Sequence, residues 1–360
     1  MPLLKDKLLE NISSSDFNKL ADTIELMAIF SKDKLINASI ILDRLSDKKN
    51  TTAVSKHGIN NSTLATGDDL DEYLTLIEES EVASKVDEED EHDFEDKKTI
   101  KFKQNFSNIF SHRVNTYSDS YPFIYDATTK TLSFVNTKLD ASNYFYIYLL
   151  ISSNLDAIND SSHNLTTQFE KTSYFLFKYL LPENFSKVIY YGASVKNSMD
   201  IISSSKNKLI DKITELRDLL KISIHPYINE EEIGKYNNGD GGIDIVGYND
   251  FNDDVETKII FIGQCACGSE WEEKQIESNF INLDKFFHFF NKPTSVVLIP
   301  RSFRDFNNNW DKKSDILDCI LIDRYRLILL SKLEKDKERL FKDSIPIINN
   351  VLRETVDFFA

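Results

Sequence analysis

Gly239-Asp240-Gly241-Gly242-Ile243-Asp244-Ile245-Val246 and, beyond an acidic turn at Asn249 to Asp254, Phe261-Ile262-Gly263-Gln264-Cys265-Ala266-Cys267 are the stretches on which the fold turns. The glycines allow a tight turn and a close backbone approach at the mouth of a strand, and Asp244 lies just inside that strand. A carboxylate in such a place costs free energy unless something uses it. Ile243 to Tyr248 and Ile259 to Gln264 read as two strands of a hairpin with a longish loop. Period-two alternation puts Gln264 and Ala266 on one face of the second strand and both cysteines on the other. If Gln264 faces Asp244 across the hairpin, two oxygen ligands converge, a set that suits Mg²⁺.

Downstream, Cys267-Gly268 ends the strand, and Ser269-Glu270-Trp271-Glu272 has the form of a capping box. The helix it opens is expected to run on through Ile276, Phe280, Leu283 and Phe287. Ser295 to Ile299 reads as another strand, stopped by Pro300. Two apolar-striped helices, Ile316 to Leu333 and Glu338 to Phe358 (interrupted at Pro346), follow. Upstream, Leu209, Ile213, Leu216 and Leu220 mark an amphipathic helix, preceded by a strand at Val188 to Tyr191 and a helix at Gln168 to Leu181. An apolar helix at Asn143 to Leu155 and short strands at Phe123 to Tyr125 and Thr131 to Val135 come earlier. The order helix, strand, strand, strand, helix, strand predicts an α/β arrangement with a mixed central sheet. No internal repeat is visible.

The remaining N-terminal part reads as helical, from Phe17, Leu20, Ala21 and Ile24 and again from Leu70, Tyr73, Leu74 and Ile77, with a polar loop at Ser46 to Gly67. Asp87 to Asp96 is too charged to pack and is expected to be a solvated linker; a sharper alternative is an acidic decoy covering a basic cleft. The layout is therefore a helical region 1–86, an acidic linker or loop 87–98, a mixed α/β connecting region 99–165, a core 166–305 and C-terminal helices 306–360.

The 360 residues, 41% of them apolar, can bury a sizeable core, enough for two domains or one with a large appendage. No basic segment leads into a long apolar stretch, so a cytoplasmic protein with no membrane partner is expected. Three cysteines make neither a disulfide framework nor a four-ligand zinc set, which excludes redox and zinc classes. A net charge of −16 is unpromising for phosphate binding, but Asp68 to Asp96 carries fifteen acidic residues against the single Lys85, so a basic cleft elsewhere is not excluded.

Phe169-Glu170 on a helix, Gly239-Asp240-Gly241-Gly242-Ile243-Asp244-Ile245 at a strand and Gln264-Cys265-Ala266 on the next strand resemble the Mrr-like branch of the PD-(D/E)XK nuclease superfamily. There an F-E pair, a G-D-G-G-I/V-D-I/V string and a Q-x-K strand follow one another. The resemblance covers roughly Thr166 to Ser302. It implies a restriction-endonuclease-like core, and Glu170, Asp244 and Gln264 as ligands of Mg²⁺ or Mn²⁺ activating water against a DNA phosphodiester. It also implies a role in bacterial restriction or antiphage defence, with DNA, a separate ATPase or helicase subunit, or a second copy of the chain as partners. The family's lysine position is Ala266, a departure for which Lys274 is the first substitute and Lys258 the second. Lys258, Arg301 and Arg304 are the candidate phosphate or DNA contacts.

Each residue has a plainer reading. Asp240 and Asp244 are the kind of carboxylate that caps turns, Gln264 can complete a buried network, and Glu170 and Lys274 suit a solvated helix face. Cys265 and Cys267 read as small apolar side chains, and His225 and His288 as packed or loop residues. Without the missing lysine, a catalytically silent scaffold or sensor that binds nucleic acid or a partner ATPase is the alternative. A third reading is an interaction protein whose acidic segment takes a basic partner.

Overall fold

The computed structural model describes residues 8, 16–42, 91–158, 162–192, 208–233, 241–253, 255–356 and 358. The expected loop at Ser46 to Gly67, the helix at Leu70 to Ile77, the linker residues 87–90, and Gly239 and Asp240 lie outside them. In chain order the helices are α1 (Phe17–Phe30), α2 (Glu91–Tyr117), α3 (Ala141–Ser152), α4 (Ser162–Phe177), α5 (Leu209–Leu220), α6 (Glu230–Ile233), α7 (Trp271–Glu277), α8 (Phe280–Leu283), α9 (Arg324–Ser331) and α10 (Ile345–Arg353). The strands are β1 (Leu35–Asn37), β2 (Phe123–Asp126), β3 (Thr131–Phe134), β4 (Ser186–Tyr190), β5 (Ser223–Ile224), β6 (Ile245–Asn249), β7 (Ile260–Cys265), β8 (Phe287–His288), β9 (Thr294–Leu298) and β10 (Cys319–Ile322).

Five strands form the central mixed sheet, and their spatial order β4-β6-β7-β9-β10 follows the chain. β6 runs antiparallel to β4 and β7, while β7, β9 and β10 are mutually parallel. One face is covered by α4: Phe177 lies so close to Gly263 that a Cβ there would meet its ring at 2.6 Å. The other face takes the apolar stripe of α5, Leu209, Ile213, Leu216 and Leu220, against Val246, Tyr248, Ile260 and Ile262.

α3 is buried on every side from Phe145 to Ser152, as a helix apolar all round must be, and Asp140 and Asn143 form its capping box. Around it, α1, α2, α4, α9 and α10 share one core with the α4 face of the sheet, so the N-terminal and C-terminal helices are continuous with it. Buried charges tie this core together. Arg113 pairs with Asp22 and Glu25, each at 2.7 Å, Arg324 pairs with Asp22 at 2.7 Å, and the hydroxyls of Tyr121 and Tyr146 donate to Glu25. Burial by itself raises the Asp22 carboxyl, but Arg324 and Arg113 outweigh it and hold the group at about 2.

Several expectations are corrected. Glu91 to Asp96, read as part of the 87–98 linker, open the helix that continues to Tyr117. Phe102, Phe106 and Phe110 anchor that helix in the core, and propagation is favourable once a helix is anchored; acidic residues suit its N-terminal end. Cys319 to Ile322, read as helix, is the outer parallel strand β10; its apolar spacing fits either period, and pairing with β9 decides. Ser269 does not cap α7, which starts one residue later at an N-cap Glu270 that makes no side-chain bond. The following helix stops at Glu277, Asn279 caps the separate turn α8 through the Asn282 N–H, and Phe287 belongs to β8. Pro346 starts α10 rather than interrupting a helix, because the first turn needs no N–H donor.

Candidate active site

Gly241 and Gly242, at φ +69° and +79°, deliver the chain to Asp244 at the head of β6. Gly242 must be a glycine on two counts, its left-handed backbone and a Cβ that would lie 2.8 Å from Glu277 of α7. Asp244 is stitched into the sheet end from both sides. Its N–H donates to the Gly263 carbonyl at 3.0 Å, and its carbonyl accepts from Tyr191 at 2.7 Å and Gly192 at 3.0 Å. Its Oδ2 accepts the Cys265 N–H at 2.7 Å. The ladder pairs Ile245 with Gly263, so one step further it sets Asp244 beside Gln264, as the sequence predicts.

Glu170 comes from α4 and receives a hydrogen bond on Oε2 from the Tyr190 hydroxyl. A methyl group at Gly192 would stand 2.6 Å from that hydroxyl and 3.2 Å from Asp244 Oδ1, so both groups crowd the same point. The titration of neighbouring groups reports the same cluster. Burial, then the charge of Glu170 and its hydrogen bond, then Asp244, push Tyr190 far above its ordinary value. Burial first, then Asp244 and Glu170, raise the Cys265 thiol; burial, then Glu170, raises that of Cys267. Both cysteines therefore stay protonated and face α4, while Gln264 and Ala266 face the other way.

Gln264 is 5% exposed, and its Oε1 is buried without a hydrogen-bond partner. An orphaned buried acceptor costs about 1–3 kcal/mol. The strand register sets this amide beside Asp244, and an amide oxygen with a carboxylate is a donor pair suited to a hard divalent cation that takes oxygen ligands. Among the described residues no group of three or more His, Cys, Asp and Glu is placed to hold a metal.

The cations are placed differently from one another. Ala266 is buried against Trp271 and Val297 and brings no amine. Lys274 bonds Glu277 at 2.8 and 2.9 Å, and Glu277 backs Gly242, so the pair stands at the rim beside the glycine turn. Lys258 lies at the opposite end of the hairpin, buried, with its amine 3.1 Å from Asp250. The structure does not bring it to the site. Arg304 is taken up by Asp323 at 2.8 Å and by the rings of Trp310 and Tyr325. Arg301 donates one nitrogen to the Gly268 carbonyl at 3.0 Å, while its Nε is buried without a partner. The rings of His225, just past β5, and His288, on β8, meet edge to face with centroids 3.7 Å apart.

Sequence reading missed Tyr190, Gly192 and Lys212. Lys212 is 2% exposed on α5, with its amine 3.3 Å from the Tyr191 carbonyl. It occupies a position three after Leu209 and four before Leu216, and a lysine inside an apolar stripe was the available signal. No protein-family model matches this chain, and neither a curated protein nor a solved structure does.

Proposed function

We propose that this chain is a metal-dependent nuclease that hydrolyses phosphodiester bonds of DNA in bacterial restriction or antiphage defence. The observation that carries the reading is the approach of Glu170, through the Tyr190 hydroxyl, and Asp244 to one point at Gly192, with Gln264, whose buried Oε1 has no hydrogen-bond partner, next to Asp244 in the strand register. The order α4, β4, β6, β7, α7, β9, with a mixed sheet, supports a restriction-endonuclease-like core.

Glu170, Asp244 and Gln264 would hold Mg²⁺ or Mn²⁺, which when bound polarises a phosphoryl oxygen and makes an attacking water more acidic. The Cys265 N–H fixes Asp244 by Oδ2 and leaves Oδ1 turned toward Gly192. The Tyr190 hydroxyl, protonated at neutral pH, orients Glu170. Among the described residues no helix is long and apolar enough to cross a membrane. Any DNA translocation would need a partner ATPase or helicase subunit, since the chain has no P-loop motif.

A second reading, a silent scaffold or sensor, is favoured by Ala266, which is packed against Trp271 where the resemblance has its lysine. Purified protein with plasmid DNA and Mg²⁺ or Mn²⁺ separates the two. Metal-dependent cutting that disappears in Asp244→Ala supports the nuclease, and loss in Lys274→Ala identifies the rim lysine as its cation. Absence of both cutting and metal binding supports the scaffold.

A further inference from the structure

A cavity of about 80 Å³ opens between the start of α1 and the segment that follows β7. By water-sized volume that is room for roughly six water positions, or one phosphate group with part of its shell. Lys19, Cys267, Gly268, Ser269, Arg301 and Ser302 line it, together with three aspartates. Neither Lys19 nor Arg301 has a carboxylate partner among the described residues, and Arg301 Nε is buried with no acceptor at all. A guanidinium bound on one side and orphaned on the other is costly unless an anion completes it.

The aspartates do not cancel these cations. Asp22 gives both oxygens to Arg324, at 2.8 and 2.7 Å, and one of them also to Arg113. Asp16 spends Oδ1 on the Asn18 and Lys19 N–H groups at the head of α1. Asp156 is exposed to solvent. Cys267, which lines the cavity, lies two residues beyond Cys265, whose N–H holds the Asp244 carboxylate.

We infer that this cavity is a phosphate subsite, in which Arg301 and Lys19 hold a backbone phosphodiester of the strand presented to Glu170 and Asp244. The inference rests on the nuclease reading for its substrate and makes the N-terminal helix part of the substrate site. Its ligand chemistry is a phosphate oxyanion, and free inorganic phosphate is the competing source.

The test is fluorescence anisotropy of a labelled DNA duplex on the full chain in EDTA, across a salt series. Arg301→Gln and Lys19→Gln are each expected to weaken binding about tenfold and to lower the salt slope by about one. Asp244→Asn is expected to bind at least as well as wild type. Inorganic phosphate should compete in the wild type only at far higher concentration than unlabelled DNA. Thermal unfolding checks that Arg301→Gln folds, and the half-buried Lys19→Gln stands as the second variant. Wild-type affinity and slope in both variants overturn the inference, as does an absence of DNA binding by wild type, or competition by phosphate as strong as by DNA. Cutting by wild type together with unchanged binding in both variants sinks the subsite and leaves the nuclease standing. Weakened binding in both variants with no cutting under any metal does the reverse.

Discussion

Replacing Gln264 by methionine should make the protein more stable and, on the proposed reading, abolish its binding of Mg²⁺ or Mn²⁺. The side chains are close in volume, but methionine removes an amide oxygen that is buried without a hydrogen-bond partner. Relief of such a group is worth about 1–3 kcal/mol. At roughly 2 cal/mol/K of unfolding entropy per residue, that corresponds to a rise of about 1–4 °C in Tm for a chain of this length. Calorimetric melting in EDTA measures the gain, and isothermal titration with Mn²⁺ measures the loss of affinity in the same preparations. A gain in apo stability with lost Mn²⁺ binding is the signature of a group kept for a ligand at the expense of the fold. A Gln264→Met protein that melts below wild type, or that binds Mn²⁺ unchanged, refutes the reasoning, because the amide would then be serving the fold or nothing at all.

Tyr190→Phe removes the donor that orients Glu170 and should lower Mn²⁺ affinity about tenfold or more with little change in melting temperature; equal affinity would detach Tyr190 from the site. Gly192→Ala places a methyl 2.6 Å from the Tyr190 hydroxyl and should cost about 1–3 kcal/mol while abolishing cutting, read by denaturant unfolding and plasmid assay. Arg324→Met leaves the buried Asp22 with Arg113 as its one guanidinium partner among the described residues and should destabilise by about 3 kcal/mol in urea unfolding. Asp22 titrates at about 2 in the folded protein against an ordinary 3.8, so its contribution is fully present above the unfolded value and is lost as pH falls from about 4 to about 2. Glu25, raised by burial, acts in the opposite sense, its share lost as pH rises through its elevated value. Unfolding free energy across that acid range should therefore fall less steeply in Asp22→Asn than in wild type.

Local pattern made much of the fold legible. The stripe at Leu209, Ile213, Leu216 and Leu220 is the helix α5 to the residue, and the short strands near Phe123 and Thr131 lie within a residue of their expected ends. The hairpin of β6 and β7 was readable because alternation and a turn-rich connection leave one pairing that buries one face. Where the pattern failed, long-range pairing made the decision. Cys319 to Ile322 has a spacing compatible with a helix until β9 offers its open edge, and the acidic opening of α2 is helical because phenylalanines further along the same helix are anchored in the core. The helix break at Ser278 is tertiary as well, since the Ser278 hydroxyl meets that of Ser295 on β9.

The same division runs through the site. Sequence by itself determined that a glycine turn feeds a carboxylate into a strand opposite an amide, because turn chemistry and period-two alternation are properties of neighbouring residues. It could name Glu170 only through resemblance, since nothing local says where a helix surface carboxylate will point. Tertiary structure decided the rest. Packing of α4 on the sheet brought Glu170 onto Tyr190, and the ladder turned the Asp244 carboxylate toward Gly192. The opposite ends of one hairpin separated Lys258 from the cluster that its nearness in sequence suggested. Distances between side chains come from the register and packing of elements far apart in the chain, and those are fixed only when the whole core closes.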